Sequence, residues 1–534
     1  MPRKRPLISL CMIMRDEAEN LPRALASVQG LVDEMIIVDT GSVDASVEIA
    51  RSFGAKVYFK QWHNDFSEPR NLAMEKAKGE WILIFDADEE FCKEDIPKAL
   101  DCTKIVGVEG FTFSTVNYIG SDIGLNQDIN LNLRLIRNRK EYRYQGKIHE
   151  HLSLILDRTV VIRQDIKVYH YGYMDKQIAD KEKVQRNLSM LLEKFEQGKE
   201  TITNFDYYNL GVEYVRANQW GNALDCFEKA SYNLDTNLLW GSSLRRIHLL
   251  TLANLGLYEE GLNLAEDVIG LYPNYADLVY IKGVMYVQLK RLPEAVGCFH
   301  QCLAMEGLVP AEYTHDAGVC GYKAYFALGK AYQESSHYVK AAEMYRHSLE
   351  KNPGALEMVH ELLTATLIHG GVSALEKAAQ DIAAVEEYCR LLTLVESLAN
   401  LGQKDLALHY LTKVEEFKRD TDFEHYVRAL VYTKQLEWGE ALGEVNKVTG
   451  ESSYYKRAKL LEVTSYWYQN REDLAKQTLV ALTLTEQDCI GLAQVFLQQA
   501  QNAVALGKQA WPDTQIFKDY EQLLNECHKV LAGG

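Results

Sequence analysis

The segment WILIFDADEE, residues 81–90, sets the fold of the first third of the chain. Its first five residues are apolar and predict a buried strand, and the next five bring four carboxylates. Carboxylates packed this densely repel one another unless a cation neutralises them. A divalent ion with oxygen ligands would do so and keep positions open for phosphate oxygens. The segment therefore predicts a cation site at a strand end. The alternative is a solvated acidic loop that caps the following helix.

Short apolar runs alternate with amphipathic segments before this strand. The predicted strands are residues 7–14, 34–39, 56–60 and 81–86, and the predicted helices are residues 20–29, 45–53 and 68–77. This alternation indicates βαβ units and a parallel sheet that is buried on both faces. In such sheets the ligand binds beyond the carboxyl ends of the strands. Asp39 and Asp86, which end the second and fourth strands, are therefore expected at a ligand site.

The composition excludes several classes of protein. The chain has 534 residues, 47% of them hydrophobic and 25% charged, which is typical of globular domains. A net charge of -17 argues against a nucleic-acid-binding protein. We find no apolar run of about 18 residues and no signal peptide, so no membrane span is expected. The ten cysteines are scattered, which is typical of a reducing cytoplasm.

The charge is unevenly distributed along the chain. Residues 1–174 hold 23 basic and 26 acidic side chains, whereas the remainder holds 35 and 49. The rhythm also changes here, because the second part is helical almost throughout. We predict an α/β domain over residues 1–174, a polar helical connector over 175–203 and helical repeats over 204–534.

The repeats follow a pattern of aromatic, Leu-Gly, Tyr, Ala, aromatic and small residues at fixed spacing. This is the 34-residue tetratricopeptide signature, in which small residues lie where two helices cross closely. The pattern is clear to about residue 355 and degenerate after it. Its two fullest copies are Tyr207, Leu210, Gly211, Tyr214, Ala223, Phe227 and Ala230, and Tyr325, Leu328, Gly329, Tyr332, Ala341, Tyr345 and Ser348.

A cluster of potential zinc ligands lies inside the repeats. Cys298 and Cys302 share one helix face, and His315 and Cys320 follow closely in sequence. Zinc binding is one interpretation. Buried helix cysteines are the favoured one, because CxxC pairs are absent.

Three blocks of the first domain resemble one enzyme family. They are SLCMIMRDEAENLPRALASV (residues 9–28), MIIVDTGSVDAS (35–46) and FSEPRNLAMEKAKGEWILIFDADEE (66–90). Their order and spacing resemble family-two glycosyltransferases with a GT-A fold. The resemblance is close over residues 7–90 and loose to about 174. The nearest subgroup is bacterial enzymes that continue into tetratricopeptide repeats, similar to the peptide and protein glycosyltransferases of glycocin and flagellin modification.

The resemblance implies a nucleotide-sugar pocket. Glu17 would border the nucleotide base and ribose, although the family usually has Asn-Glu-Glu where this chain has Asp-Glu-Ala. Asp39 would pair with the edge of the base. Arg70 and Asn71 would line the pocket, with the arginine facing the pyrophosphate.

The DAD motif and a late histidine are the implied metal ligands. Asp86, Ala87 and Asp88 would contact the nucleotide sugar, with Asp86 near the ribose or the metal and Asp88 on Mn²⁺ or Mg²⁺. His170 would complete the metal shell. The alternative for His170 is a buried core histidine on an aromatic strand.

The reaction also needs a base that takes the acceptor proton. Related enzymes carry a Gly-x-hydrophobic-His-Glu segment where this chain has GKIHE, residues 146–150. Glu150 is the first candidate and His149 the second, and the alternative is a hydrogen-bonded strand end. Arg134 and Arg137, on a strand before this segment, could face phosphate, and a surface role is equally open for Arg137.

These features and the resemblance together predict a metal-dependent glycosyltransferase of the cytoplasm, whose acceptor would be a protein or peptide held by the repeats. The resemblance implies an inverting reaction and a nucleotide-sugar donor with uridine diphosphate as carrier. One alternative is transfer onto a cell-surface or lipid-linked saccharide precursor. Another is a repeat scaffold with a degenerate transferase domain. The sugar (glucose, N-acetylglucosamine or galactose), the acceptor atom (oxygen, sulfur or nitrogen) and a homodimer all stay open.

Overall fold

The computed structural model describes residues 6–120, 126–152, 160–174, 181–197, 202–235 and 238–482. Residues 175–180 and 198–201 of the predicted connector lie outside this part of the chain, as does the predicted repeat region from residue 483 onward. The described part confirms the predicted fold class, an α/β domain followed by paired helices.

One mixed sheet organises the first domain, with strand order β3-β2-β1-β4-β7-β6-β10-β5. The half that contains β1 to β4 is parallel, and β7 joins it antiparallel to β4. The strands are β1 (Ile8–Met14), β2 (Glu34–Asp39), β3 (Lys56–Phe59), β4 (Trp81–Ile84), β5 (Glu89–Phe91), β6 (Gly110–Gly120), β7 (Asn126–Arg137), β8 (Tyr144–Gln145), β9 (His151–Leu152), β10 (Val160–Met174) and β11 (His315–Asp316).

Alternate residues of the central strands pack into two separate cores. On β1, Leu10 and Met12 join one apolar cluster, and Cys11 joins another on the opposite face of the sheet. On β4, Leu83 and Ile82 divide in the same way. A sheet covered on both faces selects continuous apolar strands, which is why these runs could be located in the sequence.

Four short helices cover the sheet, and a long series of helices follows it. The first four are α1 (Leu21–Ser27), α2 (Ser46–Ser52), α3 (Ser67–Lys76) and α4 (Ile96–Cys102). The later helices are α5 (Lys181–Gln197), α6 (Asn204–Arg216), α7 (Trp220–Ser231), α8 (Leu239–Asn254), α9 (Tyr258–Ile269), α10 (Ala276–Gln288), α11 (Leu292–Ala304), α12 (Tyr322–Glu334), α13 (Tyr338–Lys351), α14 (Glu357–Ala383), α15 (Tyr388–Asn400), α16 (Lys404–Val414), α17 (Asp422–Gln435), α18 (Trp438–Val445), α19 (Tyr455–Tyr468) and α20 (Glu472–Val480).

The helices from α6 onward pack as consecutive pairs, such as α6 with α7 and α12 with α13. Gly211, Gly283 and Gly329 each lie against an aromatic ring of the following helix, and an added Cβ would overlap that ring. Helix α14 is interrupted at Gly371, whose φ of 69° is left-handed. In the described residues, no helix is long and apolar enough to cross a membrane.

The described residues form two compact units, one up to residue 355 and the other from residue 356 onward. The sheet and the helices α5 to α13 therefore belong to the first unit. Strand β11 comes from the loop between α11 and α12 and pairs antiparallel with β7, so the sheet extends beyond the segment 1–174. Arg246 of α8 strengthens this junction by an ion pair with Asp128 of β7 and another with Asp277 of α10.

Candidate active site

Two loops at the carboxyl ends of β1 and β2 are hydrogen-bonded to each other. The backbone N–H of Glu17 donates to Ser46 Oγ at 2.7 Å, and that of Asp16 donates to Ser42 Oγ at 2.9 Å. Asp39 is 2% exposed, and its Oδ1 accepts the backbone N–H of Gly41 at 3.0 Å. Both Glu17 and Asp39 therefore lie at the predicted edge of the sheet.

The acidic segment after β4 divides its carboxylates between two directions. Ala87 is buried in the core, whereas Asp86 and Asp88 keep part of their surface exposed. Glu89 turns inward and forms a buried ion pair with Arg134, whose Nη1 donates to Oε2 at 2.9 Å. Glu90 accepts the hydroxyl of Tyr171 at 2.7 Å. Glu89 is thus committed to a buried ion pair, whereas Asp86 and Asp88 lie at the partly exposed edge of the sheet.

Glu89 also holds the DAD turn in place. Its Oε2 accepts the backbone N–H of Asp86 at 2.9 Å. Burial raises the pKa of Glu89 to about 7, although Arg134 opposes this shift. Arg134 is thus a buried structural partner, and Arg137 lies over the Trp81 ring, 4.0 Å from its centroid. Neither arginine is placed on a phosphate by these contacts.

Arg70 of α3 bridges two carboxylates that are far apart in sequence. Its Nη1 donates to Asp86 Oδ1 at 3.0 Å, and its Nε donates to Glu150 Oε1 at 2.6 Å. Burial and repulsion from Asp88 raise the pKa of Asp86, but the positive charges of Arg70 and Arg134 lower it by more. The pKa of Asp86 therefore lies below its ordinary value. The Arg70 side chain as a whole is 16% exposed.

The Asn71 side-chain amide forms two hydrogen bonds with the backbone of Tyr144. Its Nδ2 donates to the Tyr144 carbonyl at 3.0 Å, and its Oδ1 accepts the Tyr144 N–H at 2.8 Å. The Tyr144 ring lies 5.6 Å from the Arg70 guanidinium. Asn71 therefore positions a neighbour of Arg70, and both ends of its amide bind the Tyr144 backbone.

His170 of β10 faces Asp88. Its Nε2 lies 3.5 Å from Asp88 Oδ2, and its Nδ1 lies 2.9 Å from Asn117 Oδ1. The Asn117 amide nitrogen donates to the Asp128 carbonyl and to Asn130, which leaves Oδ1 as the acceptor for a protonated Nδ1. Nε2 therefore points its lone pair or its proton at Asp88.

Gly172 leaves space beside this pair. A Cβ at this position would lie 2.5 Å from Asp88 Oδ2 and 2.6 Å from His170 Nε2. Burial lowers the pKa of His170, but Asp88, Glu89 and Asp86 raise it above its ordinary value, so three carboxylates attract a positive charge here.

These donors suit a divalent cation. A carboxylate and an imidazole, with the imidazole fixed by a hydrogen bond to its other nitrogen, form a common metal-binding arrangement. No three potential ligands are grouped tightly enough, within the described residues, to hold a metal by themselves. Mg²⁺ and Mn²⁺ commonly take one or two protein ligands and complete their shell with phosphate oxygens and water. The cysteines considered for zinc, Cys298 and Cys302, are buried in helix packing.

The first repeat helix also reaches this region, which the sequence did not predict. His149 Nε2 lies 3.6 Å from Glu213 Oε1 of α6. Arg216, one turn later, donates to Glu213 and to the Tyr173 hydroxyl, the latter at 3.2 Å. The Tyr173 ring packs edge-on against His170 at 4.8 Å. The repeat helix thereby contacts both the loop of residues 146–150 and the strand that carries His170.

Comparisons with known proteins bear on the first domain. Residues 9–162 match the family model "Glycosyl transferase family 2". The chain therefore carries a family-two glycosyltransferase domain at its N-terminus, as the resemblance predicted.

Two curated relatives each match about a third of the chain. A TPR repeat-containing protein of Synechococcus elongatus is 39% identical over 31% of this chain and 42% of its own length. The SPbeta prophage-derived glycosyltransferase SunS of Bacillus subtilis is 28% identical over 35% of this chain and 44% of its own. The matches thus span less than half of either relative. A solved tetratricopeptide repeat protein from Parabacteroides merdae is 13% identical, covering 48% of this chain and 97% of its own, with a TM-score of 0.31.

Proposed function

We propose that this protein is a metal-dependent, inverting glycosyltransferase that moves a sugar from a UDP-sugar to a polypeptide. The observation that carries the proposal is the convergence of Asp86, Asp88, Arg70 and His170 at the carboxyl edge of a family-two glycosyltransferase sheet. The edge combines carboxylates for a cation with a guanidinium for a diphosphate.

In the proposed mechanism, Asp88 and His170 would hold Mn²⁺ or Mg²⁺, which neutralises charge on the leaving diphosphate. Arg70 would bind the same diphosphate as a fixed cationic fork, positioned by Glu150 and Asp86. Glu17 and Asp39 would border the nucleoside. The acceptor would attack the anomeric carbon opposite the diphosphate, so that the configuration inverts, while His149 or Glu150 takes its proton.

The paired helices are the basis for proposing a polypeptide acceptor. Tetratricopeptide-type arrays bind extended peptides on their surfaces, and four pairs of this chain share one compact unit with the sheet. The proposal includes the cytoplasm as the place of the reaction, and the free thiols of the described cysteines support a reducing compartment. The homodimer stays a prediction that mass measurement in solution will test.

Intact-mass analysis of proteins co-expressed with the chain tests the proposal. The expected result is a polypeptide whose mass increases by one hexose or one N-acetylhexosamine, and no increase with Asp88→Asn. UDP release from UDP-glucose, UDP-N-acetylglucosamine and UDP-galactose, with Mn²⁺ and with chelator, gives the donor and the metal dependence. A sugar found only on a saccharide precursor would identify that acceptor class instead. UDP release from no donor would favour the scaffold alternative.

A further inference from the structure

The loop of residues 146–150 is fixed between the first domain and the repeats. Ser67 Oγ donates to the Gly146 carbonyl at 2.6 Å, and the Phe66 N–H donates to the Lys147 carbonyl at 2.8 Å. Ile148 packs in an apolar cluster with Leu188 of α5 and Leu210 of α6. The loop that carries both candidate bases is therefore held by the first domain and by these helices.

His149 is held in an unfavourable backbone conformation. Its φ of 51° lies in the left-handed region, which costs a residue with a Cβ about 1–2 kcal/mol. Such strain persists only where the surroundings impose it, and it clusters at functional sites. Here it accompanies the approach of Nε2 to Glu213.

Glu213 is a buried charge with an incomplete set of partners. Its side chain is 0% exposed, and none of the other buried residues of α6 is basic. Neither His149 Nε2 nor Glu213 Oε2 has a hydrogen-bond partner. Burial raises the pKa of Glu213, but His149 and Arg216 lower it below its ordinary value, so the carboxylate is charged. A buried carboxylate aimed at an imidazole is the arrangement that orients a catalytic histidine.

Glu150 has a different environment. Its Oε1 accepts Arg70 Nε at 2.6 Å, and the same guanidinium binds Asp86. Glu150 thus helps to position the Arg70 guanidinium, which is proposed to bind the diphosphate. The His149 side chain, by contrast, is 26% exposed although its Nε2 is buried near Glu213, so its exposed surface lies elsewhere on the side chain.

We propose that His149 accepts the acceptor proton and that Glu213, supplied by the first repeat helix, is its positioning residue. The inference deepens the proposed function and rests on it. With Nε2–H directed at Glu213, Nδ1 carries the lone pair. As the acceptor oxygen or sulfur bonds to the anomeric carbon, its proton moves to Nδ1. The bond from the anomeric carbon to the diphosphate oxygen breaks, and its electron pair leaves with UDP.

This assignment makes the active site incomplete without the repeats. The 1–174 segment contains His149 but lacks the carboxylate that orients it. Arg216 reinforces the arrangement, because it pairs with Glu213 and also donates to Tyr173 beside His170.

Kinetics of the full-length chain test the proposal, with Mn²⁺ and whichever UDP-sugar gives the fastest UDP release. We expect Glu213→Gln and His149→Ala to lower kcat by about 10²-fold or more while the KM for the UDP-sugar stays unchanged. Added imidazole should restore part of the turnover of His149→Ala. Glu150→Gln should instead raise the donor KM and weaken the thermal stabilisation by UDP and Mn²⁺. Glu228→Gln, at an exposed glutamate of α7, is the matched control and should behave as wild type.

The other possible results separate a failure of the His149–Glu213 assignment from a failure of the proposed glycosyl transfer. A normal kcat in Glu213→Gln would overturn the inference while leaving glycosyl transfer intact. So would a His149→Ala variant that does not respond to imidazole, if Glu150→Gln at the same time loses kcat without a change in KM. If Glu213→Gln fails to fold, His149→Ala and its imidazole response decide. Absence of UDP release by the wild type from every donor would reject the proposed function itself, and the inference with it.

Discussion

In the repeats, Gly329 of α12 lies against the ring of Tyr345, and in the candidate active site Gly172 lies against Asp88 and His170. A Cβ would overlap its neighbours at both positions. The neighbours differ, however. Tyr345 is fully buried in a packed core, whereas Asp88 and His170 are the ends of polar side chains beside a crevice.

This difference separates stability from function. A ring in a packed core cannot move without disturbing other contacts, so crowding it destabilises the fold. Crowding the ends of the polar side chains of Asp88 and His170 would instead change where those ends point. The same missing methyl group therefore permits close helix packing in one region and, in the proposed site, leaves Asp88 and His170 in their observed positions.

The largest effect is expected from Asp88→Asn. It removes a negative charge from the proposed cation site while preserving the size of the side chain, and we expect UDP-sugar turnover to fall about 10³-fold. UDP release with Mn²⁺, compared with release in chelator, measures this. Asp101→Asn, at an exposed acid, is the control. A stable Asp88→Asn protein with near-normal turnover would refute the metal assignment.

Gly172→Ala tests the polar half of the comparison. The added methyl group should displace the Asp88 carboxylate and the His170 ring, and we expect turnover to fall about 10²-fold, the typical result of a misplacement near 1 Å. The urea midpoint of unfolding should hardly change. A large loss of stability with normal turnover per folded molecule would show that Gly172 is a packing residue like Gly329.

Gly329→Ala tests the apolar half. Overpacking against Tyr345 should destabilise the protein by about 1–3 kcal/mol. The higher helix propensity of alanine offsets about 1 kcal/mol of this. Urea unfolding followed by circular dichroism measures the change, and turnover per folded molecule should be unaffected. Gly297→Ala is the matched control, because its Cβ would enter open space and propensity alone should act.

The smallest effect concerns a buried histidine of the repeats. Burial and the charge of Arg245 lower the pKa of His248 in α8 to about 4. The unfolded chain binds the proton near pH 6.5, so His248 reduces stability as the pH falls from about 6.5 to about 4, by at most about 1.4 kcal/mol for each pH unit.

His248→Asn should therefore reduce the slope of unfolding free energy against pH between about pH 4 and pH 6.5. The curve near neutral pH should keep its flat shape. His409→Asn, at an exposed histidine of α16, should leave the slope as in the wild type. An unchanged slope in His248→Asn would mean that this histidine binds its proton equally well in the folded and unfolded chains.

The sequence indicated those parts of the site that depend on neighbouring residues. An apolar run followed by DAD predicts a buried strand and carboxylates at its end, and the structure places Asp86 and Asp88 there. The sequence could not show which of the four carboxylates would be paired inside the protein, because only the fold brings Arg134 to Glu89 and Tyr171 to Glu90. Asn71 also matched a family pattern, but its partner Tyr144 is 73 residues away.

By itself, the sequence determined the alternation of strands and helices, the acidic strand end and the repeat pattern of glycine facing an aromatic ring. These features depend on periodicity and on residues within one or two elements, so local physics is enough to recognise them. The tertiary structure alone decided that β11 joins the sheet, that Gly172 opens the space beside Asp88, and that Glu213 meets His149. Those contacts join segments distant in the chain, and no local pattern records which distant side chain will complete a buried charge.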